Sequence, residues 1–316
     1  MNFYHIPLLR MICKFKKELN LLFKSGFVSI IGRPNVGKST LMNQVVGEKI
    51  AIMSDKPQTT RNKIQAVYTN EKLQIVFLDT PGIHKPKNKL GEYMVKVAKD
   101  GFNEVDLLLM VVDDSKDIGP TDRAIIEDLK NVKTKKILVL NKIDQLNKED
   151  LMALVLKYDK LKVFDEIVPI SALKGQNVES LLNVIGSYLK EGPKYFPDHM
   201  ITDQPERLLI SELIREKVLH YTDQEVPHGV AVEIEMMKKR PEKDIIDISA
   251  VIYCERNSHK GIIIGKNGRK LKGIGKSARA DIERLLGSKV FLEVWVKVKE
   301  NWREKESLIR TLGYKN

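Results

Sequence analysis

The sequence predicts two domains, an α/β domain with a mostly parallel sheet covered by helices and a smaller α+β domain after it. Its 316 residues favour two domains, because one domain commonly has roughly 100–200 residues. Short apolar runs alternate with helical patterns along the first part of the chain, which is typical of a parallel sheet. Residues 191–205 contain one glycine and three prolines, so they indicate a linker, and the pattern changes after them.

Six apolar runs predict the strands of the first domain, which we place at residues 25–190. A continuous apolar run such as Val105–Val112 suits a strand that is buried on both faces. The other predicted strands are Phe27–Ile31, Lys63–Thr69, Leu73–Leu78, Ile137–Leu140 and Ile167–Ile170. Helices are predicted after the first strand up to Gly47 and over about residues 91–103, 120–131, 148–161 and 177–190.

The second domain, residues 206–316, has a different order of elements. An amphipathic helix over 206–220 precedes two alternating strands, and a basic glycine-rich stretch, a helix and a last strand follow. The strands are Val230–Met236, Ile245–Tyr253 and Val290–Lys297, and the long helix covers about 269–286. The predicted order is therefore α-β-β-α-α-β.

The composition excludes several classes of protein. Apolar residues make up 42% of the chain and charged residues 30%, which argues against a disordered or fibrous chain. Two cysteines, Cys13 and Cys254, cannot form a disulfide scaffold and fit a reduced, cytoplasmic protein. No apolar run reaches the roughly 20 residues that a membrane-spanning helix needs.

The net charge of +12 points to a polyanionic partner, either nucleic acid or a membrane surface. The excess lies at the ends of the chain. Residues 1–24 carry five basic and one acidic residue, residues 206–316 carry 23 and 17, and the part between them carries 26 and 24. Residues 256–279 contain eight Lys or Arg and no Asp or Glu, although such a run is often only a solvated face.

Residues 1–24 mix apolar and basic side chains. This segment has three interpretations: a basic amphipathic helix on an anionic membrane, an extension without fixed structure, or a start codon assigned too early. We favour the last two.

A phosphate-binding loop is predicted directly after the first strand. The segment GRPNVGKS has the pattern G-x-x-x-x-G-K-S between a strand and a helix. Glycines let backbone N–H groups turn towards a phosphate, and the helix N-terminus adds a positive dipole. Lys38 would reach the β- and γ-phosphates, and Ser39 would bind Mg²⁺. The predicted nucleotide contacts here are Gly32, Arg33, Pro34, Asn35, Val36, Gly37, Lys38, Ser39 and Thr40.

Two further segments are expected at the phosphates. Asp79 follows an apolar strand and would hold Mg²⁺ through water, and the Gly82 N–H would meet the γ-phosphate. Thr60, which we prefer over Thr59, would sense the γ-phosphate through Mg²⁺. The predicted catalytic residues are Lys38, Thr60 and Gly82; the predicted metal-binding residues are Ser39, Thr60 and Asp79; and the nucleotide contacts of the second segment are Asp79, Thr80, Pro81, Gly82 and Ile83.

A second pair of segments predicts guanine specificity. A carboxylate such as that of Asp144 accepts hydrogen bonds from guanine N1–H and the 2-amino group, whereas adenine would leave it unpaired. Lys142 would cover the face of the guanine ring. A backbone N–H of the segment Ser171–Leu173 would donate to guanine O6. The predicted base contacts are Asn141, Lys142, Ile143, Asp144, Ser171, Ala172 and Leu173. Four motifs in this order predict a P-loop GTPase domain that binds GTP and GDP.

Two residues bear on the rate of hydrolysis. Ile83 occupies the position where some GTPases carry a water-orienting glutamine, and an isoleucine cannot orient water, so slow intrinsic hydrolysis is expected. Asn35 is a candidate ligand for a monovalent cation such as K⁺, and the alternative is that it only shapes the loop.

The second domain contains a G-x-x-G loop within its basic stretch. Two glycines allow close approach to a backbone, and the basic residues neutralise phosphates. This layout and the order of elements predict a type II KH domain that clamps single-stranded RNA, the alternative being a basic helix–turn–helix. The predicted RNA contacts are Gly265, Lys266, Asn267, Gly268, Arg269 and Lys270.

Over residues 25–316 the chain resembles the Era family of bacterial GTPases. The resemblance is carried by GRPNVGKST and by four further segments: Pro57–Arg61, Asp79–Met94, Asn141–Asp144 and Val296–Arg303. It implies slow GTP hydrolysis in the cytoplasm, binding near the 3′ end of 16S ribosomal RNA and a role in maturation of the 30S subunit. It also implies loose association with the cytoplasmic face of the cell membrane, and we expect a monomer.

Other functions compete with this one. A signalling GTPase with lipid-binding basic ends would not need the G-x-x-G loop, whereas an RNA-binding factor that binds GTP without hydrolysing it would be compatible with Ile83. A tRNA-modifying GTPase is disfavoured because no cysteine-bearing C-terminus follows. Our hypothesis is a switch in which GTP orders the residues around Thr60 and Gly82–Gly91, which changes their contacts with the KH domain and exposes its RNA groove.

Overall fold

The structure is a computed structural model that describes residues 23–54, 56, 59–100, 102, 105–223 and 226–314. Residues 1–22 are not among the described residues. The three interpretations of the N-terminal segment therefore lie outside what the structure describes, except at residues 23 and 24. Among the described residues no helix is long and apolar enough to cross a membrane.

The first half of the chain forms a six-stranded sheet with the order β2-β3-β1-β4-β5-β6. All neighbouring strands are parallel except β2 and β3, which pair antiparallel. The strands are β1 Lys24–Ile31, β2 Ile64–Thr69, β3 Leu73–Asp79, β4 Leu107–Val112, β5 Lys135–Leu140 and β6 Glu166–Pro169. The mostly parallel sheet predicted from the apolar runs is confirmed.

Helices cover both faces of this sheet because successive strand residues point to opposite sides. Ile30 of β1 packs in one apolar cluster with Leu41 and Leu181, and Ile31 packs in the other with Ile125 and Leu154. The helices are α1 Lys38–Val46, α2 Lys89–Asp100, α3 Pro120–Lys130, α4 Lys148–Asp159 and α5 Val178–Tyr188.

The second half forms a three-stranded sheet, β7-β8-β9, with helices packed on one apolar core. Strands β7 and β8 are antiparallel, and β8 and β9 are parallel. The elements are α6 Glu206–Tyr221, β7 Ala231–Lys239, β8 Ile245–Cys254, α7 Asn257–Ile264, α8 Arg269–Leu286, β9 Lys289–Val298 and α9 Glu306–Thr311. The α-β-β-α-α-β order is confirmed, and α9 is an addition that the sequence patterns did not predict.

The predicted linker, residues 191–205, packs along the first sheet. Val67 N donates to Ile201 O at 2.8 Å, and Thr202 Oγ1 donates to Gln65 O at 2.6 Å. The side chain of Gln74 accepts hydrogen bonds from the backbone of Tyr195 and Phe196. The connection is thus fixed to β2 and β3 rather than being a free tether.

Candidate GTP- and RNA-binding sites

The loop between β1 and α1 places the amino end of α1 at the carboxyl edge of the sheet, where ligands of open α/β sheets bind. Lys38 is the first residue of α1 and is 6% exposed. Its Nζ donates to Gly32 O at 3.2 Å and to Arg33 O at 3.0 Å, which holds the amine at the rim of the loop. Burial lowers the pKa of Lys38 to about 8, and the carboxylate of Asp79 opposes this shift.

Three oxygen-bearing side chains meet beside Lys38. Ser39 Oγ donates to Asp79 Oδ2 at 2.7 Å and lies 3.0 Å from Thr60 Oγ1. Asp79 is fully buried, and its Oδ1 has no hydrogen-bond partner. Burial raises the pKa of Asp79 to about 6, against the attraction of Lys38. An all-oxygen set with one unsatisfied carboxylate oxygen fits a small hard cation such as Mg²⁺.

The segment Asp79–Gly82, called the DTPG segment below, lies directly on the phosphate-binding loop. A Cβ at Gly82 would be 2.7 Å from Pro34 N, so only glycine allows this approach. Ile83 N donates to Gly32 O at 3.1 Å, whereas its side chain is buried in the apolar cluster that contains Ile31. The side chain of Ile83 therefore points away from the cleft. Thr80 is also buried and donates to Ile30 O.

The predicted base-recognition segments are joined to the phosphate-binding loop by one side chain. Asn141 is 3% exposed; its Nδ2 donates to Val36 O at 2.8 Å, and its Oδ1 accepts from Ala172 N at 2.9 Å. Both polar atoms of this amide form hydrogen bonds within the protein. Asn141 therefore holds its own segment, the phosphate-binding loop and the segment of Ala172 in position. Asp144 is exposed and accepts a 2.6 Å hydrogen bond from the hydroxyl of Ser171.

The other predicted nucleotide contacts differ in how far their side chains are exposed to solvent. Ile143 and Ala172 are buried and offer a ligand only their backbone, whereas Leu173 is 70% exposed. Lys142 has a left-handed backbone with φ 64°, and its Nζ lies 3.5 Å from Asp113 Oδ2. Asn35 is exposed at the cleft, also with a positive φ of 67°.

The side chain of Arg33 turns away from the cleft. Its Nη2 contacts Asp113 and donates to Ser115 Oγ at 2.9 Å, and its Nε donates to Asp122 Oδ2 at 3.2 Å. A nucleotide contact at Arg33 would therefore involve its backbone. The two carboxylates were missed by sequence reasoning, because they lie 80 and 89 residues further along the chain and belong to no motif.

The segment before β2 reaches the second half of the chain. Arg61 is 1% exposed and donates to Val230 O at 2.6 Å, to Tyr314 Oη at 3.2 Å and to His228 O at 3.0 Å. Trp302 lies beneath its guanidinium, 5.7 Å from the ring centre. Sequence reasoning included Arg61 in a motif but gave it no role.

The G-x-x-G loop connects α7 to α8. Gly265 (φ 69°), Asn267 (φ 52°) and Gly268 (φ 73°) all have a positive φ, and Gly268 caps the N-terminus of α8. Lys266 and Arg269 are exposed beside them. The loop therefore presents backbone and positive charge together at the start of a helix.

A groove continues from this loop between α8 and β9. Most of its residues recur at helical spacing along one face of α8 and include Lys272, Lys276 and Arg279. The groove is lined by Gly268, Leu271, Lys272, Gly275, Lys276, Arg279, Leu292 and Val294. Only Gly268 among them was in the predicted RNA-binding set, although the acid-free stretch 256–279 had marked the basic members.

Two family models match the chain: a 50S ribosome-binding GTPase at residues 27–142 and a KH domain at residues 225–303. The chain is 74% identical over 294 residues to GTPase Era of Clostridioides difficile, which covers 93% of this chain and 99% of the relative. It is 69% identical over 294 residues to GTPase Era of Alkaliphilus oremlandii, covering 93% and 100%.

Two solved structures resemble the whole two-part fold. One is a crystal structure of Era in complex with MgGDPNP and nucleotides 1506–1542 of 16S ribosomal RNA. The other is an Aquifex aeolicus Era variant bound to GDP and AlF4⁻. Each is 42% identical to this chain, with a TM-score of 0.90, and covers 93% of this chain and 100% of the solved chain.

Proposed function

The chain belongs to the Era family of GTPases, and from this premise we propose that it is a GTP-controlled RNA-binding protein of small-subunit assembly. Hydrolysis of GTP to GDP and phosphate belongs to the family. The observation that carries the assignment to particular residues is the cluster of Ser39, Thr60 and Asp79 oxygens beside Lys38. We place the GTPase domain at residues 25–190 and the RNA-binding KH domain at 206–316, joined by 191–205.

In this proposal the phosphates of GTP lie against the loop between β1 and α1. Lys38 and the loop N–H groups neutralise the charge that develops on the phosphate oxygens. Ser39, Thr60 and Asp79 hold Mg²⁺, with Asp79 acting through water. When bound, Mg²⁺ supplies further charge neutralisation at the β- and γ-phosphates. Gly82 donates its backbone N–H to the γ-phosphate.

The base is recognised by the exposed carboxylate of Asp144, which the hydroxyl of Ser171 orients. Lys142 covers the ring face, and a backbone N–H of the segment 171–173 meets O6. Thr40, Pro81 and the remaining loop residues complete the nucleotide contacts, although Pro34 and Pro81 have no backbone N–H to donate. The geometry supports these roles because Asn141 joins all three segments.

Hydrolysis is slow in this scheme because no side chain at position 83 orients water. The buried position of Ile83 supports this, since its side chain packs away from the cleft. The test is phosphate release under single-turnover conditions. Lys38→Ala should abolish nucleotide binding, and a wild-type protein that binds GTP but releases no phosphate would instead support a passive assembly factor.

K⁺ is a proposed second cofactor at Asn35, where it would neutralise charge in the place of an arginine. The exposure of Asn35 at the cleft supports a ligand role. Its left-handed backbone equally supports the structural alternative, since asparagine tolerates this conformation. Turnover rates in K⁺ and Na⁺ distinguish the two, and equal rates would remove the cation.

The RNA partner we propose is the 3′ region of 16S ribosomal RNA on the 30S subunit. A related Era was solved with nucleotides 1506–1542 of that RNA. Residues 265–270 would clamp the backbone, and the groove along α8 would take the bases. Crosslinking the protein to RNA in cells and sequencing the crosslinked RNA tests this. Reads spread evenly over all RNAs would contradict it.

We also propose a monomer in the cytoplasm with peripheral contact to the inner membrane surface. The support for membrane contact is the net charge of the N-terminal residues, of which the structure describes only the last two. Flotation with anionic vesicles, compared with RNA binding in the same salt, separates lipid attraction from RNA recognition.

A further inference from the structure

The segment that carries Thr60 is held on both sides by the second half of the chain. Before Thr60, Arg215 of α6 donates to the carbonyl oxygen of Thr59. After it, the side chain of Arg61 enters a pocket between the start of β7 and the C-terminal residues. Thr60 thus lies between two anchors while its hydroxyl meets Ser39.

The pocket of Arg61 suits a guanidinium. Its planar donors meet the carbonyl oxygens of His228 and Val230 and the hydroxyl of Tyr314. The rings of Trp302 and Tyr314 stack with an interplanar angle of 15° and face the cation at 5.7 and 5.9 Å. A lysine would not fill this planar array, because its ammonium is a compact point charge.

Burying this cation is costly, so stability alone does not explain it. All three acceptors are neutral, and Arg61 Nε is buried without a hydrogen-bond partner. An apolar side chain of similar size would fill the same space without losing hydration. We therefore interpret the buried charge of Arg61 as a means of fixing one arrangement of the chain rather than as a source of stability.

One face of α6 organises the rest of the segment. Glu212, Arg215 and Glu216 recur at helical spacing and are all 8% exposed or less. Arg215 pairs with Glu212 at 2.5 Å, and Glu216 accepts hydrogen bonds from Met53 N at 2.9 Å and from the ammonium of Lys49. Both the start and the end of the segment 49–61 are therefore fixed to α6.

We propose that Arg61 is a positioning residue for GTP hydrolysis. Through its contacts with the second half of the chain, Arg61 holds Thr60 at the metal-binding end of the cleft. This rests on the proposed function, because Thr60 acts only when GTP and Mg²⁺ bind there. Because Thr59 and Arg61 are already held by these contacts, less conformational entropy is lost when Thr60 engages the γ-phosphate side of the ligand. GDP lacks that phosphate and gains nothing from the anchor.

The test compares Arg61→Ala and Arg61→Lys with Lys63→Ala, which removes an exposed cation two residues after Arg61. Both Arg61 variants should retain GDP affinity within about twofold and lose about tenfold in affinity for a GTP analogue and in the single-turnover rate, as expected when a charge-assisted hydrogen bond is lost. Lys63→Ala should match the wild type. An unchanged ratio of GTP-analogue to GDP affinity and an unchanged rate in the Arg61 variants would overturn the proposal.

Arg61→Ala could also fail to fold, which loss of GDP binding would reveal. Tyr314→Phe then decides, because it keeps the ring and removes only the hydroxyl that accepts from Arg61. We expect its hydrolysis rate to fall by about threefold at unchanged GDP affinity, the size of one weak hydrogen bond; a wild-type rate would refute the role of the pocket. If the wild-type protein itself bound no guanine nucleotide, the proposed function would fail instead.

Discussion

Asp79 is the residue whose protonation controls the proposed metal site. Its carboxyl is fully buried, and burial raises its pKa from an ordinary 3.8 to about 6. In the unfolded chain the carboxyl ionises near pH 4, so the ligand-free fold loses stability as the pH rises from about 4 to 6. Binding of Mg²⁺ has the opposite dependence because it requires the carboxylate.

We therefore expect the Mg²⁺ affinity of the nucleotide complex to fall by up to about tenfold per pH unit below pH 6, the limit for one competing proton. Titrating Mg²⁺ into the protein and a GTP analogue between pH 5 and 8 measures this. Phosphates titrate in the same range, so Asp79→Asn is the control, and only the difference between the two curves reports on Asp79. Parallel curves would contradict the assignment.

Asp144 supports a sharper prediction about specificity. Its carboxylate should accept from guanine N1–H and the 2-amino group. Asp144→Asn replaces one acceptor with an amide donor, which suits the C2 carbonyl of xanthine instead. We expect GTP affinity to fall by about a hundredfold, as for two lost charge-assisted hydrogen bonds, with xanthosine triphosphate preferred.

Competition between GTP and xanthosine triphosphate for the Asp144→Asn variant measures this reversal. Asp144→Ala is the matched control, because it removes the acceptor without adding a donor and should bind both nucleotides weakly. If the Asp144→Asn variant still preferred GTP, this carboxylate would be excluded from base recognition.

At the scale of the elements, the loop between α7 and α8 can be tested without unfolding the domain. A Cβ at Gly268 would meet no atom within 4 Å, so a side chain there has room, although the φ of 73° costs a non-glycine residue about 1 kcal/mol. A Cβ at Gly265 would instead lie 2.7 Å from that of Lys270. Position 268 is therefore the one at which charge alone can be varied.

Gly268→Asp should block RNA binding while GTP binding stays intact, because its carboxylate would repel the RNA phosphates. Gly268→Asn has the same shape, tolerates the left-handed backbone and carries no charge, so it should retain most of the RNA affinity. Binding of a single-stranded RNA oligonucleotide, measured for both variants at the same salt concentration, tests this. Normal RNA binding by Gly268→Asp would exclude the loop from the interface.

The strands, helices and loops show how much of this structure the sequence predicts. Strands such as β4 were predictable because burial on both faces leaves a continuous apolar run. The motif loops were predictable because their residues are adjacent in sequence. The short α9 was not, since six residues carry too little periodicity. Arg33 was assigned to the nucleotide because it lies in a motif, yet its side chain contacts two distant carboxylates.

The switch hypothesis expected contacts between the two halves, but the residue pairs that make them could not be predicted. Arg61 and Val230 are 169 residues apart, and Arg215 and Thr59 are 156 apart. Contacts between residues so far apart produce no periodic pattern in the sequence. They are seen only when the two folded halves are placed together. The residues that connect the two proposed functions therefore came from the structure alone.

At the scale of the whole molecule, the two halves meet through charge as well as apolar contact. Lys49 and Lys217 both lie within 3.0 Å of carboxylate oxygens of Glu216 and Asp281. Burial alone would raise the pKa of Glu216, but the hydrogen bonds from Lys49, Met53 N and Lys217 hold this pKa below its ordinary value. This cluster of four side chains is therefore charged at neutral pH, and its contribution to stability is lost as the pH falls through the acidic range.

An apolar cluster also joins the same halves. Leu90 and Met94 of α2, the helix after the DTPG segment, pack against Trp302, Ile309 and Tyr314. The two segments that we propose to surround the γ-phosphate thus both contact the KH half, at Arg61 and at α2. We expect a change of either segment on hydrolysis to alter these contacts.

This arrangement predicts a reciprocal coupling between nucleotide and RNA. If a GTP analogue changes the affinity for a 16S 3′-end RNA fragment by some factor relative to GDP, then that RNA must change the preference for the analogue over GDP by the same factor. We expect a factor of about 5–150, the usual range for coupled sites. Calorimetric titrations of RNA into both nucleotide states, and of both nucleotides with and without RNA, measure it twice. Arg61→Lys should bring both factors towards one together. Factors of one in the wild-type protein would show that the contacts between the halves transmit nothing.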